Sequence, residues 1–203
     1  MKKEYLLTLL LFLPVLVFCQ STATYGFKGG LSFGNAEAKD FNLDNIELDT
    51  KFRTSLYLGA FVEYSLENIS ENLYTQLELQ YVSSGAKIGG APTVQEIKLS
   101  QLNLPFVLKY RVAEPFTLTA GIYWGLLLQV EEESSEGETL DAKEDFETFD
   151  SGLLIGAEVP IGEDFFLELR YNYGLLDLRN LEKTDNRGSY FNRFIQLGVG
   201  VRL

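Results

Sequence analysis

The sequence predicts an eight-stranded, up-and-down antiparallel β-barrel that crosses a membrane with its strands. Three observations lead to this fold class. The N-terminus has the features of an export signal, eight later segments alternate apolar residues with polar or small ones, and the connections between them alternate between long and short. An alternation with a period of two places successive side chains on opposite faces of a strand.

Residues 1–19 are predicted to be a signal peptide. Lys2 and Lys3 form a positive start, the apolar run Leu6–Phe18 follows, and cleavage is expected after Cys19. The run is shorter than the ~20 residues that a helix needs to span a bilayer. An alternative is that Cys19 becomes the lipid-modified N-terminus of the mature chain. The barrel domain is expected to occupy residues 20–203.

Eight alternating segments follow, each long enough for a tilted membrane strand, which needs ~9–11 residues in the apolar layer. They are Tyr25–Asn35, Thr54–Leu66, Leu73–Ser83, Glu96–Arg111, Phe116–Val130, Phe149–Ile161, Phe165–Leu178 and Tyr190–Leu203. Every second connection is long and polar, and the others are short. Long loops at one rim and tight turns at the other are typical of outer-membrane barrels with both termini in the periplasm.

The composition of the two strand faces predicts that the apolar face meets lipid. The other face carries polar residues and most of the strand glycines, which suits the narrow lumen of eight strands. The apolar face is almost free of charge in the strand centres, and its aromatic residues gather near the strand ends. In Phe116–Val130, strict alternation places Val130 with the lipid-facing residues. A lipocalin-like barrel with an apolar interior is the alternative.

Seven stretches that cover nearly the whole mature chain resemble the PorT-type family of outer-membrane β-barrel proteins from Bacteroidetes-like bacteria. They are "YGFKGGLSFGN", "LELQYVSSGAKI", "LNLPFVLKY", "FTLTAGIYWGLLL", "DSGLLIGAEV", "LELRYNYGLLDL" and "NRFIQLGVGVRL". The resemblance implies residence in the outer membrane, with its lipid as the immediate surroundings. It also makes secretion-complex proteins candidate partners, because some members take part in protein secretion across this membrane.

The closing residues resemble the strand signal that the barrel-insertion machinery reads. The signal consists of Gln196, Gly198, Val201 and Leu203, and Leu203 departs from the usual terminal aromatic residue. The resemblance makes the insertion machinery an expected partner.

The inward face is predicted to carry an ion-pair network that fills the lumen. Its members are four acidic and four basic residues: Lys28, Glu63, Glu78, Lys109, Glu158, Glu168, Arg170 and Arg202. An uncompensated charge in a narrow lumen costs several kcal/mol, so pairing is expected. The alternative is a polar gate or small-solute path, although eight strands leave little room for water.

Composition argues against catalysis and against nucleic-acid binding. The chain has no histidine and one cysteine, which excludes Ser-His and Cys-His catalysis and most transition-metal sites. The formal net charge of -12 opposes binding to nucleic acid. Glu158 and Glu168 share a face with Arg170 and Arg202, so salt bridges are favoured over an acid/base pair. No catalytic residue, metal site or cofactor is predicted.

The acidic loop Glu131–Glu147 has two interpretations: a solvated loop, or a site that captures divalent cations. The predicted function is a non-enzymatic outer-membrane barrel with a packed polar lumen that presents loops to a partner or serves membrane integrity. The alternatives are an accessory of protein secretion, a small-solute channel and a soluble lipophile carrier.

Overall fold

The computed structural model describes residues 23–40, 46–47, 49–89, 94–134, 137–180 and 188–203. The predicted signal peptide lies outside this part of the chain. The described residues form strands β1 (Ala23–Asp40), β2 (Ile46–Glu47), β3 (Asp49–Ser65), β4 (Leu73–Gly89), β5 (Val94–Ala113), β6 (Phe116–Ser134), β7 (Thr139–Asp141), β8 (Phe149–Ile161), β9 (Phe165–Gly174) and β10 (Gly188–Arg202). A short 3-10 helix spans Lys143–Asp145. Within the described ranges, no helix has the length and apolar character needed to cross a membrane.

Eight of these strands close into an antiparallel barrel, which confirms the predicted fold class. Their order is β1-β3-β4-β5-β6-β8-β9-β10, and β10 pairs back with β1 from Gly26 opposite Arg202 to Asp40 opposite Gly188. The short strands β2 and β7 pair with the ends of β1 and β6. Closure gives every barrel strand two neighbours, and hydrocarbon requires this because it offers no partner to a free N–H or C=O group.

The two rims of the barrel differ in the length of their strand connections, as the sequence predicts. Tight connections at 66–72, 114–115 and 162–164 lie at the same rim as Ala23 and Leu203, and this end is called the turn rim below. The opposite end, where β1 reaches Asp40 and β6 reaches Ser134, is called the loop rim. In an outer-membrane barrel the turn rim faces the periplasm.

Strand β9 shows directly which face meets the surroundings. Its residues alternate without exception between exposed and buried from Phe165 to Gly174. Leu169 is 55% exposed, whereas the neighbouring Glu168 and Arg170 are 1% and 0% exposed. Apolar side chains therefore form the outer surface and charged side chains lie inside, which is the arrangement of a membrane barrel and the reverse of a lipocalin.

Aromatic side chains on the outer surface form a girdle near each rim. Near the turn rim the exposed residues are Tyr25, Tyr110, Phe116 and Phe165, and near the loop rim they are Tyr81, Phe149, Tyr171 and Tyr173. Such rings suit the two boundaries between lipid and water. The apolar belt of the barrel lies between them.

Several strands continue further toward the loop rim than the sequence predicts. Strand β1 extends to Asp40, β3 begins at Asp49, β4 ends at Gly89 and β6 ends at Ser134. The alternation of apolar residues marks only the part within the apolar layer, whereas backbone pairing continues wherever a neighbouring strand is present. Strand β9 instead ends at Gly174, before the predicted Leu178.

The prediction that Val130 faces lipid is wrong, because strand β6 contains a β-bulge. Leu127 lies opposite Gln101 and Gln129 lies opposite Ser100, so Leu128 is an extra residue in the ladder. One extra residue moves everything after it to the other face of the sheet. Val130 is consequently buried inside the barrel.

The outward-facing belt yields a stability prediction. Replacing Leu169 by Arg, in the middle of β9, is expected to lower the free energy of unfolding by about 2–4 kcal/mol in lipid vesicles. The matched control is Leu140→Arg on β7 at the loop rim, where Leu140 is 62% exposed and a change within about 0.5 kcal/mol is expected. Denaturant titration of the folded barrel measures both. Equal effects of the two variants would contradict a hydrocarbon environment at Leu169.

Candidate functional site

Four of the predicted lumen residues form a closed ring of ion pairs near the turn rim. Lys109 Nζ lies 2.5 Å from Glu63 Oε2 and 2.6 Å from Glu158 Oε2. Arg202 completes the ring, with its guanidinium 3.1 Å from Glu158 and 3.5 Å from Glu63. We call this group the rim quartet. Its two cations and two carboxylates sum to zero charge.

The other four predicted residues form a second ring deeper in the barrel. Lys28 Nζ lies 2.9 Å from Glu78 and 2.8 Å from Glu168. Arg170 donates two hydrogen bonds of 2.8 Å to Glu78 and one of 2.7 Å to Glu168. All four side chains are inaccessible to solvent. This central quartet is also neutral, and the paired geometry of Arg170 with Glu78 is the bidentate form that binds carboxylates most strongly.

Strand register and glycine make room for the central quartet. Lys28 lies opposite Gly200 on β10 and Gly59 on β3, and Glu168 lies opposite Gly198. A Cβ atom on Gly198 would overlap the Tyr57 hydroxyl, so the large inward side chains occupy the space that the glycines leave. Eight strands enclose a lumen just wide enough for side chains, and small residues must alternate with long ones there.

Neutral amide groups add hydrogen bonds to Glu78 of the central quartet and to Lys109 of the rim quartet. Gln76 and Gln80 donate hydrogen bonds of 2.7 Å and 2.5 Å to Glu78, and Gln76 also accepts one of 2.9 Å from Lys109. Beside the rim quartet, the Phe166 ring lies 4.4 Å from the guanidinium carbon of Arg202. These contacts link the two quartets into one network.

Asp150 is a fifth inward-facing carboxylate that the sequence analysis missed. It is fully buried and is the second residue of β8, directly after the exposed Phe149. Its Oδ2 atom accepts hydrogen bonds from Gln101 at 3.0 Å, Tyr123 at 3.2 Å and Asn192 at 3.4 Å. The alternation around Phe149 was the signal that could have placed Asp150 inside.

An apolar cluster fills the barrel interior at the loop rim. This mouth cluster comprises Ala36, Ala86, Ile97, Leu99, Leu127, Val130, Ala142, Phe146, Leu178 and Tyr190. Phe146 reaches it from the segment after β7, which folds back over the mouth and is joined to Arg179 by a β-bridge. The Arg179 guanidinium stacks 4.5 Å from the centre of the Phe146 ring and pairs with Glu132 at 3.2 Å. Residues 137–147 of the predicted acidic loop thus form a cap over the mouth.

A cavity of about 390 Å³ lies at the turn rim below the rim quartet. Its walls are Glu63, Tyr74, Lys109, Arg111, Glu114, Pro115, Thr117, Glu158, Pro160, Glu163, Phe166 and Arg202. All four members of the rim quartet line this cavity, so the ion pairs lie at its boundary.

The residues of the predicted insertion signal divide between the two faces of β10. Gln196 is buried and donates a hydrogen bond of 3.2 Å to Gln80, and Gly198 also faces the lumen. Val201 is half-buried, and Leu203 is 75% exposed at the turn rim. In the described part of the chain, no three His, Cys, Asp or Glu side chains are grouped so that they could hold a metal ion.

The central quartet yields a second stability prediction. Arg170→Met is expected to lower the free energy of unfolding by about 3–5 kcal/mol, because it leaves two carboxylates with one cation. Adding Glu78→Gln to that variant restores neutrality and is expected to recover part of the loss. The control is Arg111→Met at the exposed turn rim, with an expected effect of about 0–1 kcal/mol. Denaturant titration measures all three, and a double variant less stable than Arg170→Met would contradict charge balance as the cause.

Comparison with known proteins agrees with this architecture. Residues 18–180 match the family model described as an outer membrane protein beta-barrel domain. No curated protein matches the chain. The crystal structure of Neisserial surface protein A is similar, with a TM-score of 0.52, 15% identity, and coverage of 90% of this chain and 98% of that one.

Two further solved structures are similar over comparable lengths. Ail of Yersinia pestis has a TM-score of 0.47 and 14% identity, with coverage of 89% of this chain and 99% of that one. OprG of Pseudomonas aeruginosa has a TM-score of 0.45 and 12% identity, with coverage of 90% and 97%. With the closed barrel, its outward apolar belt and the family match over most of its length, the chain belongs to the outer membrane protein beta-barrel domain family and resides in the outer membrane.

Proposed function

We propose that this protein is a closed, non-enzymatic barrel that holds a structured surface at the cell exterior for a partner protein. The observation that carries the proposal is the filling of the lumen by two neutral quartets and, above them, the mouth cluster. Arg170 and Glu78 have 0% exposed side chains near the middle of the barrel, and Leu127 and Val130 are equally buried near the loop rim. A soluble lipophile carrier would need its apolar belt inside, so this alternative is not retained.

To conduct ions, the lumen would have to open, and the side chains of the central quartet and of the mouth cluster would have to move apart. The central quartet joins β1, β4 and β9 across the lumen through charge-assisted hydrogen bonds, which are about twice as strong as neutral ones. The mouth cluster adds an apolar layer of close-packed side chains, through which an ion would have to pass without its hydration shell. Both features support a barrel that does not conduct.

The expected result in planar lipid bilayers is therefore the absence of single-channel current above background. The folded, full-length barrel is inserted at increasing protein concentration, and a conducting porin provides the positive control for insertion. Discrete current steps that scale with the amount of protein would favour the small-solute channel instead.

The loop rim offers a partner an acidic, ordered surface. The segment that caps the mouth exposes Glu138, Asp141, Glu144 and Glu147, with the apolar Leu140 among them at 62% exposure. A surface of this kind fits a protein with a basic patch and a pocket for one apolar side chain. Because β7 pairs with β6, the segment is held in a defined position relative to the barrel.

A charge-neutralised variant tests this surface. The triple variant Glu138→Gln, Asp141→Asn and Glu144→Gln is expected to lose crosslinking to its partner on intact cells, because complementary charge steers and orients association. The matched control is Glu67→Gln, Glu71→Gln and Glu163→Gln, which removes three exposed acidic groups at the turn rim and is expected to keep the crosslink. Retained crosslinking in the first variant, or loss in both, would contradict a contact at the loop rim.

An accessory role in protein secretion, as the resemblance to the PorT-type family implies, is a more specific form of the same proposal. The partner would then be a subunit of a secretion complex. Recovery of such subunits with the barrel, together with a secretion defect on deletion, would support it. Normal secretion in the deletion strain would contradict the secretion role, and the more general proposal, a surface presented to a partner protein, would still stand.

We also propose that Gln196, Gly198, Val201 and Leu203 act as the signal for the barrel-insertion machinery. Gln196, Gly198 and Val201 lie on β10, the strand that closes the barrel against β1, and Leu203 follows it directly, which supports this role. The exposed Leu203 provides an apolar end in place of an aromatic ring.

A further inference from the structure

The buried charges of the lumen do not balance when Asp150 is included. The rim and central quartets each sum to zero, and Asp150 has no described Lys or Arg within ion-pair distance. It is 0% exposed. A buried, ionised carboxylate without a positive counterpart is strongly unfavourable. The carboxyl group must therefore either hold a proton or bind a cation that the described side chains do not supply.

The hydrogen bonds to Asp150 suit an ionised carboxylate. Its Oδ2 atom accepts from an amide of Gln101, an amide of Asn192 and the hydroxyl of Tyr123, at 3.0–3.4 Å. Several donors converging on one oxygen favour the charged form, whereas burial of the group favours the protonated form. The other oxygen, Oδ1, is buried and has no hydrogen-bond partner among the described residues.

Two amide oxygens near Asp150 are left without a donor in the same way. Oδ1 of Asn103 and Oδ1 of Asn192 are buried and unpartnered within the described part of the chain. Asn192 is held beside Asp150 by its own amide nitrogen, which also donates to Gln101 at 3.0 Å. Three acceptor oxygens in one buried region thus lack a positive or donating neighbour.

Gly125 opens the space between Asn103 and Asp150. The three residues lie in register on β5, β6 and β8, with Gly125 in the middle. A Cβ atom on Gly125 would lie 2.6 Å from Asn103 Oδ1 and 3.3 Å from the Asp150 Cβ. The amide oxygen therefore occupies the place that a side chain at this position would fill, next to the carboxylate.

From this arrangement we propose that Asp150, Asn103 and Asn192 bind a small monovalent metal cation. Carboxylate and amide oxygens are the ligands that hard cations prefer. One positive charge neutralises Asp150 and completes a lumen of zero net charge. A proton on Asp150 Oδ1 would provide a donor for one of the two amide oxygens and would leave the other without a partner. A water molecule would donate hydrogen bonds to these oxygens but would not neutralise the carboxylate.

The position of the site favours tight retention of the cation. On β5 the next inward residues toward the loop rim are Gln101, which donates to Asp150, and then Leu99. On β6 the next one is Leu127, and both leucines belong to the mouth cluster. On the other side lies the hydrogen-bonded network of Gln80, Asn172 and Gln196. The low polarity above the site strengthens the attraction between cation and carboxylate.

Thermal unfolding of the full-length barrel in a neutral detergent tests the proposal. The melting temperature, read from the shift in gel mobility between folded and unfolded protein, is compared in sodium, potassium and choline chloride at one ionic strength. We expect sodium or potassium to raise it by at least about 2 °C over choline, which is too large for the site. Asp150→Asn is expected to abolish the difference. The control Asp164→Asn removes an exposed carboxylate at the turn rim and is expected to retain the difference in melting temperature.

Equal melting temperatures of the unaltered protein in all three salts would overturn the proposal, and so would a full response in Asp150→Asn. Should Asp150→Asn not fold, Asn103→Ala decides, since it removes one ligand and keeps the carboxylate. A reduced response to sodium or potassium in Asn103→Ala supports the site, and an unchanged response refutes it.

Discussion

The neutrality of the buried ion pairs is the constraint on which this barrel depends. Arg170 and Lys28 each contact both Glu78 and Glu168, so every charge of the central quartet has two opposite neighbours. A membrane barrel cannot place these charged side chains on its lipid-facing surface, and its narrow lumen leaves little room for water to solvate them. Their mutual pairing is therefore what allows the lumen to be charged and the barrel to be closed.

The outer belt and the inner network impose opposite demands on the same strands. Along β9, Leu167 and Leu169 must suit lipid, while Glu168 and Arg170 must reach partners on β1 and β4. A slip of β9 by one residue would place charge in hydrocarbon and break the central quartet at the same time. The pairing of charges across the lumen thus specifies the register as strongly as the belt does.

Sequence periodicity predicted much of this architecture, because both faces of a membrane strand carry a strong signal. The eight strands, their closure and the outward belt follow from alternation and loop lengths. Val130 was misplaced because a bulge at Leu128 changes the phase of β6 without leaving a mark in the local composition. The partners within each quartet could not be predicted either, since pairings such as Arg170 with Glu78 join residues 92 positions apart across the lumen.

The continuation of the strands beyond the apolar belt has a consequence for recognition. Strand β5 has 20 residues, and at ~3.3 Å per residue and a tilt of about 45° it rises roughly 45 Å, against an apolar band of about 25 Å. Rigid sheet, rather than loose chain, therefore carries the exterior surface away from the lipid. A partner that docks there meets a preorganised shape and loses less conformational entropy than it would in ordering a flexible loop.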